Sequence, residues 1–383
     1  MSDPAFSLGI EEEYLVVDAE TMDLAAVPDE MLAAAKKRLG DQVSPEFRDC
    51  QIEIGTSVAA DIAEARADLA HLRGGLAEVA DDHGLALVAV SCHPWGDPES
   101  QGTGHAARYD KIAEDIGGIA RRLMTCGMHV HVGLGEDHEL RADLMAQASY
   151  FLPFVLALSA SSPYWRGEDT RLSSWRLNIF DQCPRSGLPP RIESWAEYRK
   201  MVDALVSAGI IEDASKIWWD LRPSEAWPTL ETRIADVMPR MEEALSVAAF
   251  VQCVMRMLHR LKTENKRWRV YERFLIEENR WRAQRYGTEG TLLDLGRNQL
   301  RPMQELLGEL EEMMEPDARA LGCLDELRGT RRIAQQGSSA TRQRRAYDAA
   351  ISAGAEPREA LRKMLRGVSA EFLEGVERGV SPS

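Results

Sequence analysis

No Cys-x-x-Cys pair, no glycine-rich phosphate loop and no excess of basic charge occur in this 383-residue chain. Each absence narrows the options. The six cysteines, Cys50, Cys92, Cys126, Cys183, Cys253 and Cys323, lie scattered. That excludes a disulfide framework and leads us to expect reduced thiols in a cytosolic protein. Neither Gly-x-x-x-x-Gly-Lys-Ser/Thr nor Gly-x-Gly-x-x-Gly after a strand is present, which removes the two familiar nucleotide loops. A formal net charge of −16 disfavours nucleic acid and anionic membrane as partners. No apolar run reaches the roughly 18–20 residues that span a bilayer. The start, Met1-Ser2-Asp3-Pro4, lacks the basic and apolar regions of a signal peptide. No Ser-His-Asp arrangement is readable.

What is present is a recurring polar strand. The stretches are Gly9-Ile10-Glu11-Glu12-Glu13-Tyr14-Leu15-Val16, Gln51-Ile52-Glu53-Ile54-Gly55, Met128-His129-Val130-His131-Val132-Gly133 and Leu230-Glu231-Thr232-Arg233-Ile234. A strand turns residues i and i+2 to one face. Glu11 with Glu13, His129 with His131, and Glu231 with Arg233 therefore project as pairs, while the residues between are mostly apolar and can face a core. Strands disfavour Glu, and like charges at this spacing repel. A face crowded with carboxylates and imidazoles is costly unless it binds something. Divalent metal and polyphosphate suit it, with a structural ion-pair network as the alternative.

Glu46, seven residues before Glu53, can reach the same face. The His129/His131 pair also permits a metal-dependent hydrolase using zinc. Downstream, only His138 and His259 could complete such a site, and neither has a comparable context. One imidazole joining a carboxylate-rich magnesium or manganese site is the better reading. Arg176, Arg222 and Arg233 lie near the polar strands or a long loop, and arginine binds carboxylate and phosphate with two prongs. Arg233 shares a face with Glu231 and should point into the acidic cluster, where it can stabilise a transferring phosphoryl group. Any ATP would have to be held by metals and arginines on the sheet.

Hydrophobic periodicity predicts strands over 7–18, 46–57, 85–91, 217–221 and 229–237. It predicts helices over 28–38, 60–82, 112–123, 142–160, 242–261, 267–286, 292–314 and 358–376, with long loops over 161–190. The basic stretch 331–345 reads as a solvated loop or, alternatively, a phosphate-covering flap. Strands mix with helices early and helices run together late. The expected fold is α+β, a sheet covered on one face and open on the other. A single domain is expected, with a sheet-bearing part over 1–237 and a mainly helical part over 238–383. Apolar helix faces late in the chain make a homodimer an expectation as well.

Taken together, several stretches resemble the glutamate–cysteine ligase type 2 family of carboxylate–amine ligases. They are Gly9-Ile10-Glu11-Glu12-Glu13, Cys126-Gly127-Met128-His129-Val130-His131-Val132-Gly133, Leu158-Ser159-Ala160-Ser161-Ser162-Pro163-Tyr164-Trp165, Trp219-Asp220-Leu221-Arg222-Pro223, Pro228-Thr229-Leu230-Glu231-Thr232-Arg233, Glu278-Asn279-Arg280-Trp281-Arg282-Ala283 and Arg342-Gln343-Arg344. The resemblance implies a curved, mostly antiparallel sheet with helices on the outer face, similar to the catalytic domain of glutamine synthetase. It implies ATP-dependent amide formation, with ATP, glutamate or a similar carboxylate, and an amine as substrates and Mg²⁺ or Mn²⁺ as cofactor. By position it implies Glu11, Glu13, Glu46, Glu53, His129 and Glu231 as metal ligands. Arg233 and Glu231 become the catalytic pair, and His131, Arg176, Arg222, Arg233, Asn279 and Arg282 contact substrate or ATP.

Overall fold

The computed structural model describes residues 3–103, 114 and 116–376. Its centre is a seven-stranded sheet built around β1, Leu8–Asp18. β1 is long enough to serve three neighbours. Its first half pairs with β5 (Gly127–Gly133), its middle with β3 (Gln51–Gly55) and its end with β4 (Leu85–Val88). β2 (Val43–Pro45) extends the sheet beyond β3, while β11 (Thr229–Asp236) and β10 (Leu221–Pro223) extend it beyond β5. Every pairing in this sheet is antiparallel.

Alternation in β1 decides the layers. Leu8, Ile10, Glu12 and Tyr14 are buried, while Glu11 and Glu13 turn to the other side. The buried face packs against the helices Ile62–Asp81, Met241–Thr263 and Pro357–Phe372. The first of these starts where Asp61 accepts hydrogen bonds from the Ala63 and Glu64 amides. One contiguous apolar core runs from Phe6 to Phe372 and joins the sheet to the late helices. The sheet's other face opens onto a cavity of about 520 Å³.

Several elements differ from expectation for local reasons. The stretch 46–57 is not one strand: Glu46 lies in the link between β2 and β3. Of the helix expected over 112–123, Ile112 lies outside the described residues, and Gly117–Arg122 forms a tight 3-10 turn. Gly117 and Gly118 are poor helix formers at that point. The helix over 142–160 is two, His138–Ala148 and Leu152–Ser159, with Pro153 opening the second. The loops over 161–190 contain a small hairpin, β6 (Tyr164–Trp165) with β7 (Glu168–Asp169), a short helix Arg176–Phe180, and β8 (Ser186–Gly187) beside β9 (Trp218–Trp219).

The expected helix over 292–314 begins only at Met303. Before it stands a hairpin, β12 (Thr291–Asp294) with β13 (Gln299–Pro302), turned by the Asp294 carboxylate, which accepts from the Gly296 and Arg297 amides. The basic stretch 331–345 is neither loop nor flap. It belongs to the helices Leu324–Gln336 and Ser339–Ser352, separated at Gly337, whose φ of 93° suits only glycine. Arg342 there is clamped by Glu243 and Glu371. Two helical stretches, His138–Ser159 and Met241–Thr263, are long and apolar enough to cross a bilayer, contrary to the reading of the sequence. Their apolar windows are 83% and 78% buried inside this fold.

Candidate active site

Strand register places the polar side chains in rows. Arg222, Glu231 and His131 stand opposite one another on β10, β11 and β5. His129 stands opposite Glu11, and Glu13 opposite Glu53, in the rows that follow along β1. Adjacent strands lie about 4.8 Å apart, so neighbouring rows can share a small ion. One oxygen or nitrogen each from Glu11, His131 and Glu231 lies within 4.8 Å of the others. Glu13, Glu46 and Glu53 form a second acidic group lining the same cavity. Glu53 accepts from the Ser44 hydroxyl at 3.1 Å, and Glu46 from the Phe47 amide at 2.9 Å.

The two histidines are held alike. His129 Nδ1 donates to Glu11 at 3.1 Å, and His131 Nδ1 is hydrogen-bonded to the Thr229 hydroxyl at 2.9 Å. In both rings Nε2 is buried without a hydrogen-bond partner among the described residues. His131 Nε2 lies 3.5 Å from Glu11, and His129 Nε2 lies 3.9 Å from Glu13. An imidazole oriented through one nitrogen, with the other bare and facing carboxylates, is the posture of a metal ligand.

The electrostatics divide the cluster. Burial pushes the Glu13 carboxyl up, and repulsion from Glu46 adds to this, against the pull of Arg176. The result is about 8. Glu53 is also raised well above the ordinary carboxylate range, by burial and then by Glu46, Glu11 and Glu13. Burial raises Glu11 as well, but the hydrogen bond from His129 and the nearby His131 imidazole reverse this and hold it well below that range. For Glu231 burial is outweighed by Arg233 and Arg222. His129 is lowered to about 4, by burial and by the Arg233 charge, so it is neutral at pH 7. The donor set is oxygen-rich with bare imidazole nitrogens, too crowded with carboxylate to ionise fully alone. It fits a hard divalent cation such as magnesium or manganese. Among the described residues the carboxylates outnumber the imidazoles, which favours these harder cations over zinc.

The arginines are placed by a bulge. The β11–β5 register shifts between Thr232 and Ala235, which leaves the Arg233 and Ile234 carbonyls outside the regular ladder. Arg176 donates to both, at 3.2 and 3.4 Å. Its guanidinium occupies the space where a side chain on Gly127 would sit, so a larger residue there would displace it. Arg233 donates to Glu231. Arg222 donates to Glu231 at 2.7 Å and to the Ser215 and Ile217 carbonyls at 2.8 and 2.7 Å.

Glu11, Glu13, Glu46, Glu53, His129, His131, Arg176, Arg222, Glu231 and Arg233 thus line one cavity. Asn279 and Arg282, expected from the sequence to contact substrate or ATP, are not among the residues that line it. Both lie on the helix Arg273–Tyr286 and fasten the hairpin that follows. The Asn279 side chain exchanges hydrogen bonds with the Leu293 backbone at 2.8 and 2.6 Å, and Arg282 donates to Thr291. Their neighbour Arg280, not singled out from the sequence, is the brace toward the site. It joins Asp181 and Asp220 through contacts of 2.7 Å. Also missed were buried Asp236, which ties down Ser161, Ser162 and Ser174, and the apolar wall of Phe47, Leu123, Phe180, Cys183 and Trp218. Asp236 follows Arg233 by three, off the alternating pattern. The wall comes from separate segments with no shared motif.

Comparison with known proteins decides the family. Residues 7–370 match the family described as Glutamate-cysteine ligase family 2 (GCS2). This chain belongs to that family. It is 54% identical over 371 residues to a protein of Jannaschia sp. (strain CCS1), covering 97% of this chain and 98% of that one. It is 52% identical over 370 residues to one from Paracoccus denitrificans (strain Pd 1222), again covering 97% and 98%. Both relatives carry the provisional name glutamate–cysteine ligase 2. In fold, the chain is similar to a glutamate–cysteine ligase from Francisella tularensis solved in complex with AMP. The TM-score is 0.69 at 14% identity, with 100% of this chain and 90% of that one covered.

Proposed function

We propose that this protein is an ATP-dependent carboxylate–amine ligase that activates a carboxylate, glutamate in the first instance, and joins it to an amine. The observation that carries the reading is the meeting of Glu11, His131 and Glu231 on one open sheet face, with both imidazole Nε2 atoms bare. Family membership and an AMP-bound structural relative support it.

The chemistry follows from charge. A carboxylate oxygen attacks the terminal phosphorus of ATP, the bond to ADP breaks, and an acyl phosphate forms. The amine nitrogen then attacks the acyl carbon, and inorganic phosphate leaves with the electron pair of the C–O bond. Both reactants of the first step are anions, so the barrier is largely electrostatic. Magnesium or manganese held by Glu11, His131 and Glu231, and by Glu13, Glu46 and Glu53 with His129, would supply the positive charge that lets them approach. Arg233 is held at the cavity by Glu231 and donates toward negative charge that builds on the transferred phosphoryl group. Arg222 fixes Glu231, and Arg176 fixes the bulge that aims Arg233.

The test is ADP release with glutamate, Mg-ATP and a panel of amines, comparing the native protein with Glu231→Gln. Amine-dependent ADP formation that falls at least about a hundredfold in the variant is expected. Equal turnover in both proteins would remove Glu231 from the reaction.

A further inference from the structure

The cavity has two unlike ends. One lies beside Glu231 and Arg222 and is bordered by Ser224, Glu225 and Trp227, on the turn joining β10 to β11. The other lies beside Glu13 and Glu46, where Phe47 of the apolar wall follows Glu46 in the chain. Apart from Phe180, that wall belongs to a small apolar cluster separate from the main core. It contains buried Phe47, Ile116, Ala120 and Cys183, with Ile119, Leu123 and Trp218 packed on it. Four segments build it: the β2–β3 link, the turn Gly117–Arg122 with Leu123 after it, the loop after Phe180, and β9. Its rings are braced from within the protein. The Arg176 guanidinium lies 5.2 Å from the Phe180 ring centre, and that of Arg185 lies 5.7 Å from Trp218. The Cys183 thiol is pushed up to about 11, by burial and by Asp181, so it is an apolar wall group and not a nucleophile.

We infer that this wall selects the amine: the preferred acceptor is a primary amine with a branched aliphatic or aromatic side chain larger than that of cysteine. The inference rests on the ligase reading and names the substrate class for the same cavity. The acceptor amine must reach the acyl carbon beside the cation site, and from there its side chain can lie on Leu123, Phe180 and Trp218, which line the same cavity. A nucleotide's phosphates belong with the cations and arginines around Glu231, which directs the base toward the opposite, Trp227 end. A cysteine side chain reaches little of such a wall. Each further methylene buried on it raises selectivity by roughly tenfold or more.

The experiment measures ADP formation with glutamate and Mg-ATP for hydroxylamine, methylamine, cysteine, isopentylamine and phenethylamine. Hydroxylamine has no side chain and reports the ligase chemistry by itself. Expected is a kcat/KM for isopentylamine or phenethylamine at least about tenfold above that for methylamine and cysteine. Leu123→Ala should cut that preference about tenfold, and Cys183→Phe, which fills the wall, should abolish it. Turnover of hydroxylamine with no preference among the other amines overturns the inference and leaves the ligase reading standing. A rise in KM for ATP, and not for the amine, in Leu123→Ala also overturns it, since the wall would then hold the nucleotide base. Failure to form ADP even with hydroxylamine overturns both readings together.

Discussion

Arg73 and Glu12 meet face to face in the core, with neither side chain exposed to water. Two guanidinium nitrogens reach the two carboxylate oxygens at 2.9 and 2.7 Å, and the Tyr14 hydroxyl donates to the same carboxylate. Arg73 also donates to the Pro239 and Met238 carbonyls at 2.6 and 3.0 Å. The pair ties the centre of β1 to the helix behind it and to the end of β11. Glu12 lies between Glu11 and Glu13, so what holds it also sets the pitch of its neighbours.

Breaking this pair should be far more harmful than replacing it. Arg73→Met leaves a buried carboxylate alone and should cost about 3–5 kcal/mol in urea unfolding. The double variant Glu12→Leu/Arg73→Met removes both charges and should recover most of that loss. A double variant no better than Arg73→Met would show that the contacts to Met238 and Pro239 dominate.

The acidic side of the cavity should trade stability for cation binding. Glu13, Glu46 and Glu53 crowd one another in a buried place, and two of their carboxyls are pushed upward. Glu53→Gln should raise the melting temperature without added metal, by a few degrees for each 1 kcal/mol of repulsion relieved. The native protein should instead gain stability on addition of Mg²⁺ or Mn²⁺, and the variant should gain much less. Differential scanning fluorimetry with and without the cations reads both effects. Identical cation responses would place the ion elsewhere.

His93 provides a pH dependence away from the cavity. Its Nε2 donates to the Met22 carbonyl at 3.0 Å, and its Nδ1 accepts from the Gly96 amide at 2.9 Å, so both nitrogens are used by a neutral ring. Burial lowers it from 6.5 to about 4. The unfolded chain therefore takes up a proton below 6.5 that the native state refuses. The contribution is complete above that pH and is lost as pH falls toward 4. The loss amounts to about 3 kcal/mol at most. Urea unfolding at pH 7 and pH 4.5 should show a smaller drop for His93→Gln than for the native protein. An equal drop would assign the acid sensitivity to other groups.

The polar row was legible in the sequence because strand alternation is local. Glu11, Glu13, His129, His131 and Glu231 needed only the two-residue period to be put on one face. Their grouping across strands followed from antiparallel register. Helical residues offered no such rule. Asn279 and Arg282 sit in a stretch that resembles the family, yet which side of a helix meets the cavity is decided by packing that no short window contains. The hairpin over 291–302 was hidden by leucines at positions compatible with a helix, and its turn depends on the Asp294 side chain folding back on its own backbone. The basic stretch around Arg342 looked solvated because its acidic partners Glu243 and Glu371 are distant in sequence. Glu12 is the buried charged residue of β1, and its partner Arg73 lies 61 residues away.

The polar rows and the apolar wall are held in different ways. Strand pairing fixes the spacing of the carboxylates and imidazoles, much as a ruled lattice would, whereas the apolar end hangs from connecting segments outside that lattice. Residues there can be exchanged over generations while the charge-handling row keeps its dimensions. On the acceptor reading inferred above, a new amine can be taken up without rebuilding the step that activates the acid.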